Sequence, residues 1–232
     1  MRYIIGILIL FVVLIYTAPW ISRFLPPQYD PFAPLSVSDP PNFMTRYKLR
    51  RLDNNPEACM AVLEKAREAG AISYAVVENR RGTCPLYSPV YVQRFGTVSL
   101  SSGFLASCRL ALSSAMFVSQ VVKPQAQVQL GSALTRIDHL GSYACRNVYN
   151  RAEGRLSEHA TAEALDIAGF HLGNGTNVTV LKGWRQEGGS GNFVRLIFNE
   201  SCPYFGNSIG PDYNAAHANH FPFGMRWFGF CR

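Results

Sequence analysis

The sequence predicts an α+β domain, with helices packed on a central antiparallel sheet, behind an N-terminal transmembrane helix. Three observations lead there. Apolar residues recur at period two in some segments and at helical spacing in others. The chain has 232 residues, 48% of them hydrophobic and 16% charged, enough for one domain of ordinary size with a substantial core. Tyr3 to Ala18 is an apolar run without a charge.

Arg2 precedes that run, and Pro19, Trp20, Ile21 and Arg23 follow it. With Trp20 and Ile21 it approaches the ~20 residues that span a bilayer. A cleaved signal peptide is the competing reading. It would need a small residue where Tyr16 stands, and it would leave Pro19 as the new N-terminus. Residues 1–25 are therefore read as an uncleaved signal anchor. Residues 26–54 carry Pro26, Pro27, Pro31, Pro34, Pro40 and Pro41, the density of an extended, stiff tether. Arg46, Lys48, Arg50 and Arg51 read as its solvated end. The domain proper is expected over 55–232.

Six cysteines follow the apolar run: Cys59, Cys84, Cys108, Cys145, Cys202 and Cys231. None shows C-x-x-C spacing. An even number behind an export signal suits disulfides in an oxidising compartment, with a pairing that spacing does not reveal. Anchor and cysteines together place the chain as a single-pass protein of the bacterial inner membrane, its C-terminal domain in the periplasm. The net charge of +7 comes without a basic stripe interleaved with aromatics, which excludes nucleic acid as a partner. Weak attraction to anionic surfaces remains.

Asn55-Pro56 reads as a capped helix start, with Ala58, Val62 and Ala66 inward and Gly70 as the stop. Ile72 to Val77 and Val90 to Val98 read as strands around a Cys84-Pro85 turn. Phe104 to Val122 reads as the best helix, ended by Pro124. Arg136 to Ala144 is expected as a strand, Asn147 to Leu156 as a loop, Val178 to Leu181 as a strand and Asn192 to Phe205 as a helix. His220 to Trp227 is expected to close the sheet.

The chemistry gathers at Ser157-Glu158-His159-Ala160-Thr161-Ala162-Glu163-Ala164-Leu165-Asp166. One imidazole and one carboxylate stand seven residues apart around a small-residue turn. Zinc accepts both donor types, and a catalytic zinc site takes three protein ligands and a water. At period two, Ala162, Ala164, Asp166 and Ala168 share one strand face, and Asp166 projects from a sheet floor.

Ser157-x-His159-x-x-Ala162-x-Ala164-x-Asp166 resembles the S-x-H-x-x-G-x-A-x-D signature of the D-alanyl-D-alanine metallopeptidases and their lysostaphin- and hedgehog-like relatives. The closer resemblance is to the bacterial extensin-like protein C-terminal family. It rests on Ser142-Tyr143-Ala144-Cys145-Arg146, Arg155-Leu156-Ser157-Glu158-His159, Ala164-Leu165-Asp166-Ile167, Gly210-Pro211-Asp212-Tyr213-Asn214 and His217-Ala218-Asn219-His220-Phe221, over roughly residues 56 to 232.

That resemblance implies a hedgehog/D,D-peptidase-like fold and a zinc held by His, Asp and a second His. It implies a carboxylate base, and an Arg that forks onto substrate or oxyanion. His159 and Asp166 match two ligands, and Arg146 matches the Arg. Ser157, Tyr143, Asn214 and His217 fall in the binding blocks. The last motif should read His-x-Asp-His-Phe-His. Here Asn219 occupies the base position, Pro222 the third-ligand position, and Gly224 a position often acidic.

Two readings follow. In the first the protein is a disabled relative of zinc D,D-peptidases that binds peptidoglycan peptide or an envelope partner protein, with zinc weak or absent. In the second it is an active zinc peptidase with His220 as replacement ligand, displaced roughly 6.5 Å from position 222 along a strand. The second reading needs a base, with Glu158 and Glu163 as the candidates.

Overall fold

Nine strands and seven α-helices are found among the described residues, 2–226 and 230–232, of the computed structural model of the protein. The strands are β1 (Ser73–Val76), β2 (Val90–Phe95), β3 (Val98–Ala106), β4 (Leu134–His139), β5 (Ala164–Leu172), β6 (Asn177–Thr179), β7 (Asn207–Ser208), β8 (Phe221–Gly224) and β9 (Phe230–Cys231). They join in one sheet, ordered β1-β2-β3-β4-β5-β8-β7-β9, with β6 also on β5. The α+β expectation holds. The sheet is mixed rather than wholly antiparallel, because β3–β4 and β7–β9 run parallel. A long helical crossover between β3 and β4 returns the chain to the same end of the sheet, which a hairpin cannot do.

The helices are α1 (Arg2–Ser22), α2 (Phe43–Arg51), α3 (Pro56–Glu68), α4 (Cys108–Phe117), α5 (Lys123–Leu130), α6 (Val180–Gly183) and α7 (Gly189–Ser201). No helix among the described residues is long and apolar enough to cross a membrane. α1 has 21 residues. Its charge-free apolar run from Tyr3 to Ala18, however, rises only about 24 Å against a hydrocarbon core of about 30 Å. This overturns the expected transmembrane anchor, and the single-pass inner-membrane, periplasmic placement built on it falls too.

The proline-rich segment is not an extended tether. Its prolines set turns that fold back onto the domain. Leu35 and Leu49 are buried. Lys48, expected in solvent, is buried too; its Nζ donates to the Pro27 carbonyl at 2.7 Å and stands 3.8 Å from Asp39. Gln120 Nε2 donates to the carbonyls of Val37 and Asp39.

Asn55 caps α3 through a bond from the Ala58 amide, with Pro56 in the first turn, and Gly70 follows the end at φ 72°. Phe104 belongs to β3, and Ser107 caps α4 by accepting from the Leu110 amide. Pro124 does not stop the helix. A π-turn over Val118–Val122 widens the ladder just before it, where the proline's missing N–H matters least. Gly131, left-handed at φ 65°, ends α5 instead. The segment expected to close the sheet forms β8, but β8 lies inside the sheet between β5 and β7, with β9 at the edge; Trp227 lies outside the described residues.

All six cysteines pair, as Cys59–Cys108, Cys84–Cys145 and Cys202–Cys231. The first ties α3 to α4.

The core lies between the helices and one face of β5 and β8. Phe117 meets the rings of Tyr204, Phe205 and Phe223 at 5.4, 5.4 and 5.5 Å. Phe170 meets Phe193 of α7 edge-on. Leu165 pairs with Phe223 on that face. By strand alternation the neighbouring pairs, Ala164 with Gly224 and Asp166 with Pro222, occupy the other face.

Candidate functional site

Asp166 therefore stands on the sheet floor, directly opposite Pro222. The turn before it, Glu158–Thr161, is a short 3-10 helix capped by Ser157, whose Oγ accepts from the His159 amide. Ala162 is not on the strand, as period two suggested. It is left-handed, with φ 53°, and swings the chain from the turn into β5. The signature's glycine falls at this position, and only a small residue keeps the strain of φ > 0 modest.

His159 is held at both ends. Its Nδ1 lies 3.0 Å from the Ser142 carbonyl, and its Nε2 lies 3.5 Å from Asp166 Oδ2. Ser142 Oγ in turn bonds the Leu105 carbonyl. His220 approaches from the start of β8. Its Nδ1 lies 2.8 Å from Asn219 Oδ1, and its Nε2 lies 3.8 Å from Asp166 Oδ1. Both imidazoles thus direct Nδ1 to an amide or peptide oxygen and turn Nε2 toward one carboxylate. Holding the far nitrogen this way fixes the tautomer and ring of a metal-ligating histidine.

The carboxylate is poorly satisfied. Asp166 Oδ1 is buried with no hydrogen-bond partner. Burial pushes the Asp166 carboxyl up to about 6, while the charges of His159 and Arg146 pull the other way. Burial pushes His220 down to about 4, aided by His217 and His159. His217 is lowered as well, mainly by burial.

These shifts predict a pH signature for the metal-free protein. A carboxyl at about 6, above its unfolded 3.8, loses stability as pH rises across that window. An imidazole at about 4, below its unfolded 6.5, gains stability as pH rises. The two slopes oppose each other. Asp166→Asn removes the first, so its thermal midpoint is expected to climb more steeply than wild type's between the two values. Equal slopes in the two proteins would contradict this electrostatic picture.

Asp166, His159 and His220 line a cavity of about 620 Å³. Arg146, Arg155 and Arg226 add three guanidinium groups to its wall. Arg146 is exposed at the rim. Ser157 and His217 also line the cavity. Tyr143 does not; its hydroxyl donates to the Cys84 carbonyl, and Arg80 lies over its ring. Asn214 does not line it either; its Oδ1 caps the Ala215–His217 turn by accepting from the Ala216 amide.

The two base candidates are otherwise engaged. Glu163 faces away from the cleft and pairs with buried Arg109 at 2.7 Å; Arg109 also pairs with Asp53 at 2.9 Å. Glu158 Oε2 accepts from Asn207 Nδ2 and its Oε1 from the Arg226 amide. Its carboxylate fills the space over Gly224, where an added Cβ would meet it at 2.6–2.8 Å.

Tyr149, Arg155, Asn207, Tyr213 and Arg226 are lining residues to which no site role was assigned from the sequence. The Tyr and Arg content of the 147–156 loop was the available signal.

Among the described residues no three His, Cys, Asp or Glu side chains already form a group that could hold a metal ion. His159, Asp166 and His220 come nearest. Donors on one tetrahedral zinc lie about 3.3 Å apart. His159 stands 3.5 Å from Asp166 Oδ2 and His220 3.8 Å from Asp166 Oδ1, the opposite oxygen of the same carboxylate. The donor types suit zinc: the two Nε2 atoms face the two oxygens of one buried carboxylate, and its Oδ1 has no hydrogen-bond partner.

Fold and cleft define a mixed-sheet α+β domain with a His–Asp–His floor and a cationic rim. Residues 57–232 match the family model for the extensin-like protein C-terminus, and the chain belongs to that family. No curated protein and no solved structure gives a significant match.

Proposed function

We propose that this cleft binds a carboxylate-bearing peptide of the peptidoglycan type around one zinc ion held by His159, Asp166 and His220, with hydrolysis weak or absent. This reading extends the resemblance to zinc D,D-peptidases from sequence motif to chemistry. The carrying observation is the Asn219–His220 pair. Asn219 takes no proton at neutral pH, and its oxygen is used to orient His220. The position that should hold a base instead helps hold a ligand.

The remaining groups suit binding. The Arg146 guanidinium at the rim can fork onto a peptide carboxylate. Zinc, when bound, would supply Lewis acidity and a water of lowered pKa. The chain would supply orientation but no free carboxylate beside that water, a deficit that typically costs about 10²–10⁴ in rate.

A second reading, true peptidase activity, is favoured by one fact: His220 reaches Asp166 as a replacement ligand would. Metal analysis combined with muropeptide digestion tests both. The expected result is one zinc per chain, removable by chelator, with peptide bound and no cleavage above background. Chelator-sensitive release of cleaved peptide would favour the second reading. A protein that takes up no zinc and binds no peptide would end both.

A further inference from the structure

One acidic side chain of the cleft has no part in the zinc reading. Glu158 lines the cavity beside His159 and is half-buried. Its Oε2 accepts from Asn207 Nδ2 at 2.9 Å, and its Oε1 accepts from the Arg226 amide at 2.7 Å. Both donors are neutral. The Arg226 guanidinium donates to the Leu156 carbonyl instead. Among the described residues no lysine, arginine or histidine forms an ion pair with Glu158.

The sheet register places this charge. Gly224 pairs with Ala164 and Pro222 with Asp166, both on the cleft face of the sheet. Gly224 has no side chain, and the Glu158 carboxylate occupies the room above it. Two residues of strand separate Gly224 from Pro222. The carboxylate is therefore held on the cleft floor roughly 7 Å along β8 from the Asp166–Pro222 pair.

Its acceptor capacity is only half used. An ionised carboxylate offers about four acceptor sites, and Glu158 receives one donor on each oxygen. Asn207 also lines the cavity. Its Nδ2 faces an acceptor-only carboxylate, which fixes the other end of the amide as Oδ1. That Oδ1 is buried with no hydrogen-bond partner. A carboxylate without a cation, next to an amide oxygen without a donor, complements a positively charged group rich in N–H bonds.

We propose that Glu158, assisted by Asn207, binds an ammonium group of the ligand, so that the cleft selects peptides carrying a free amine. This deepens the peptide-binding reading and rests on it. Arg146 takes a carboxylate at the rim and Glu158 an ammonium on the floor, which together orient a peptide that carries both charges. The side-chain amine of the diamino residue preceding D-alanyl-D-alanine in a peptidoglycan stem is a group of this class.

Three capped versions of lysyl-D-alanyl-D-alanine test the site, with Kd measured by calorimetry on the full-length protein supplied with zinc. The peptide acetylated only at its α-amine is expected to bind about tenfold tighter than the peptide acetylated at both amines, the gain from one charge-assisted hydrogen bond. Glu158→Gln keeps the size of the side chain and an acceptor for the Arg226 amide. It should lose that tenfold on the free-amine peptide and bind the doubly acetylated one as wild type does. Asn207→Ala should lose a smaller part with the same selectivity.

The peptide acetylated only at its side chain separates the two sources of amine: tight binding of this one supports the ammonium site and assigns it to a chain terminus. A purely structural Glu158 would weaken all peptides alike in Glu158→Gln, and that result overturns the proposal. Equal binding of all three by wild type also overturns it and leaves the peptide reading standing. If none binds, the peptide reading fails and the ammonium site falls with it.

Discussion

His220→Ala is expected to weaken zinc binding about 100-fold. A four-ligand zinc site is worth about 10–16 kcal/mol, so one ligand carries about 3 kcal/mol, or some two decades in affinity. Pro222, opposite Asp166, has no ligating atom to take over. Two comparisons make the result specific. Asn219→Ala leaves the imidazole but frees its Nδ1, and the loss of such an orienting partner typically costs about 10–100-fold. His217→Ala changes a ring 5.5 Å from His220 that makes no approach to Asp166 and should leave zinc affinity nearly unchanged. Competition with a chromophoric chelator reads all three. If His220→Ala binds zinc as wild type does, His220 is not a ligand.

Phe117→Ala should cost about 3–5 kcal/mol in urea unfolding, the usual range for a large aromatic lost from a packed core. Phe117 is completely buried and touches three other rings. One of them, Phe223, is stacked on Phe205 at 4.8 Å and lies on β8, between Pro222 and Gly224 of the cleft floor. A void behind Phe223 leaves the strand free to shift under His220. On the zinc reading proposed above, metal affinity should therefore fall in this variant too, although Phe117 lies far from His159, Asp166 and His220 in sequence. Val128→Ala, at a side chain 72% exposed, is the matched control and should change neither quantity. A loss below about 1 kcal/mol for Phe117→Ala would mean the surrounding rings collapse into the space.

What the sequence made legible was local. The start of α3 could be read because Asn55 and Pro56 act on the next turn alone. His159 and Asp166 could be paired because a turn and a strand fix their relation within ten residues. Features that depend on distant chain were misread. Pro124 looked like a stop because a π-turn leaves no mark in apolar spacing. The prolines of 26–54 looked like a tether because their turns are held by Lys48 and Gln120, from outside the proline run. Strand arithmetic displaced His220 from position 222. It did not foresee that Nε2 would lean toward Asp166 while Asn219 held the far nitrogen.

The Asp53–Arg109–Glu163 cluster bears on where this protein can be divided. Family membership begins at residue 57, after Asp53, yet Arg109 grips Asp53 and Glu163 with the same Nη2. Glu163 sits in the connection between the His159 turn and Asp166, so a charge outside the shared region helps fix the backbone within it. Leu35, Leu49 and Lys48 are buried by that same preceding segment. The evolutionary module and the mechanical one thus have different edges. The unit shared with the family is residues 57–232. The unit that holds its shape includes the arm wrapped behind it, and changes along the arm can reach the cleft without touching a motif residue.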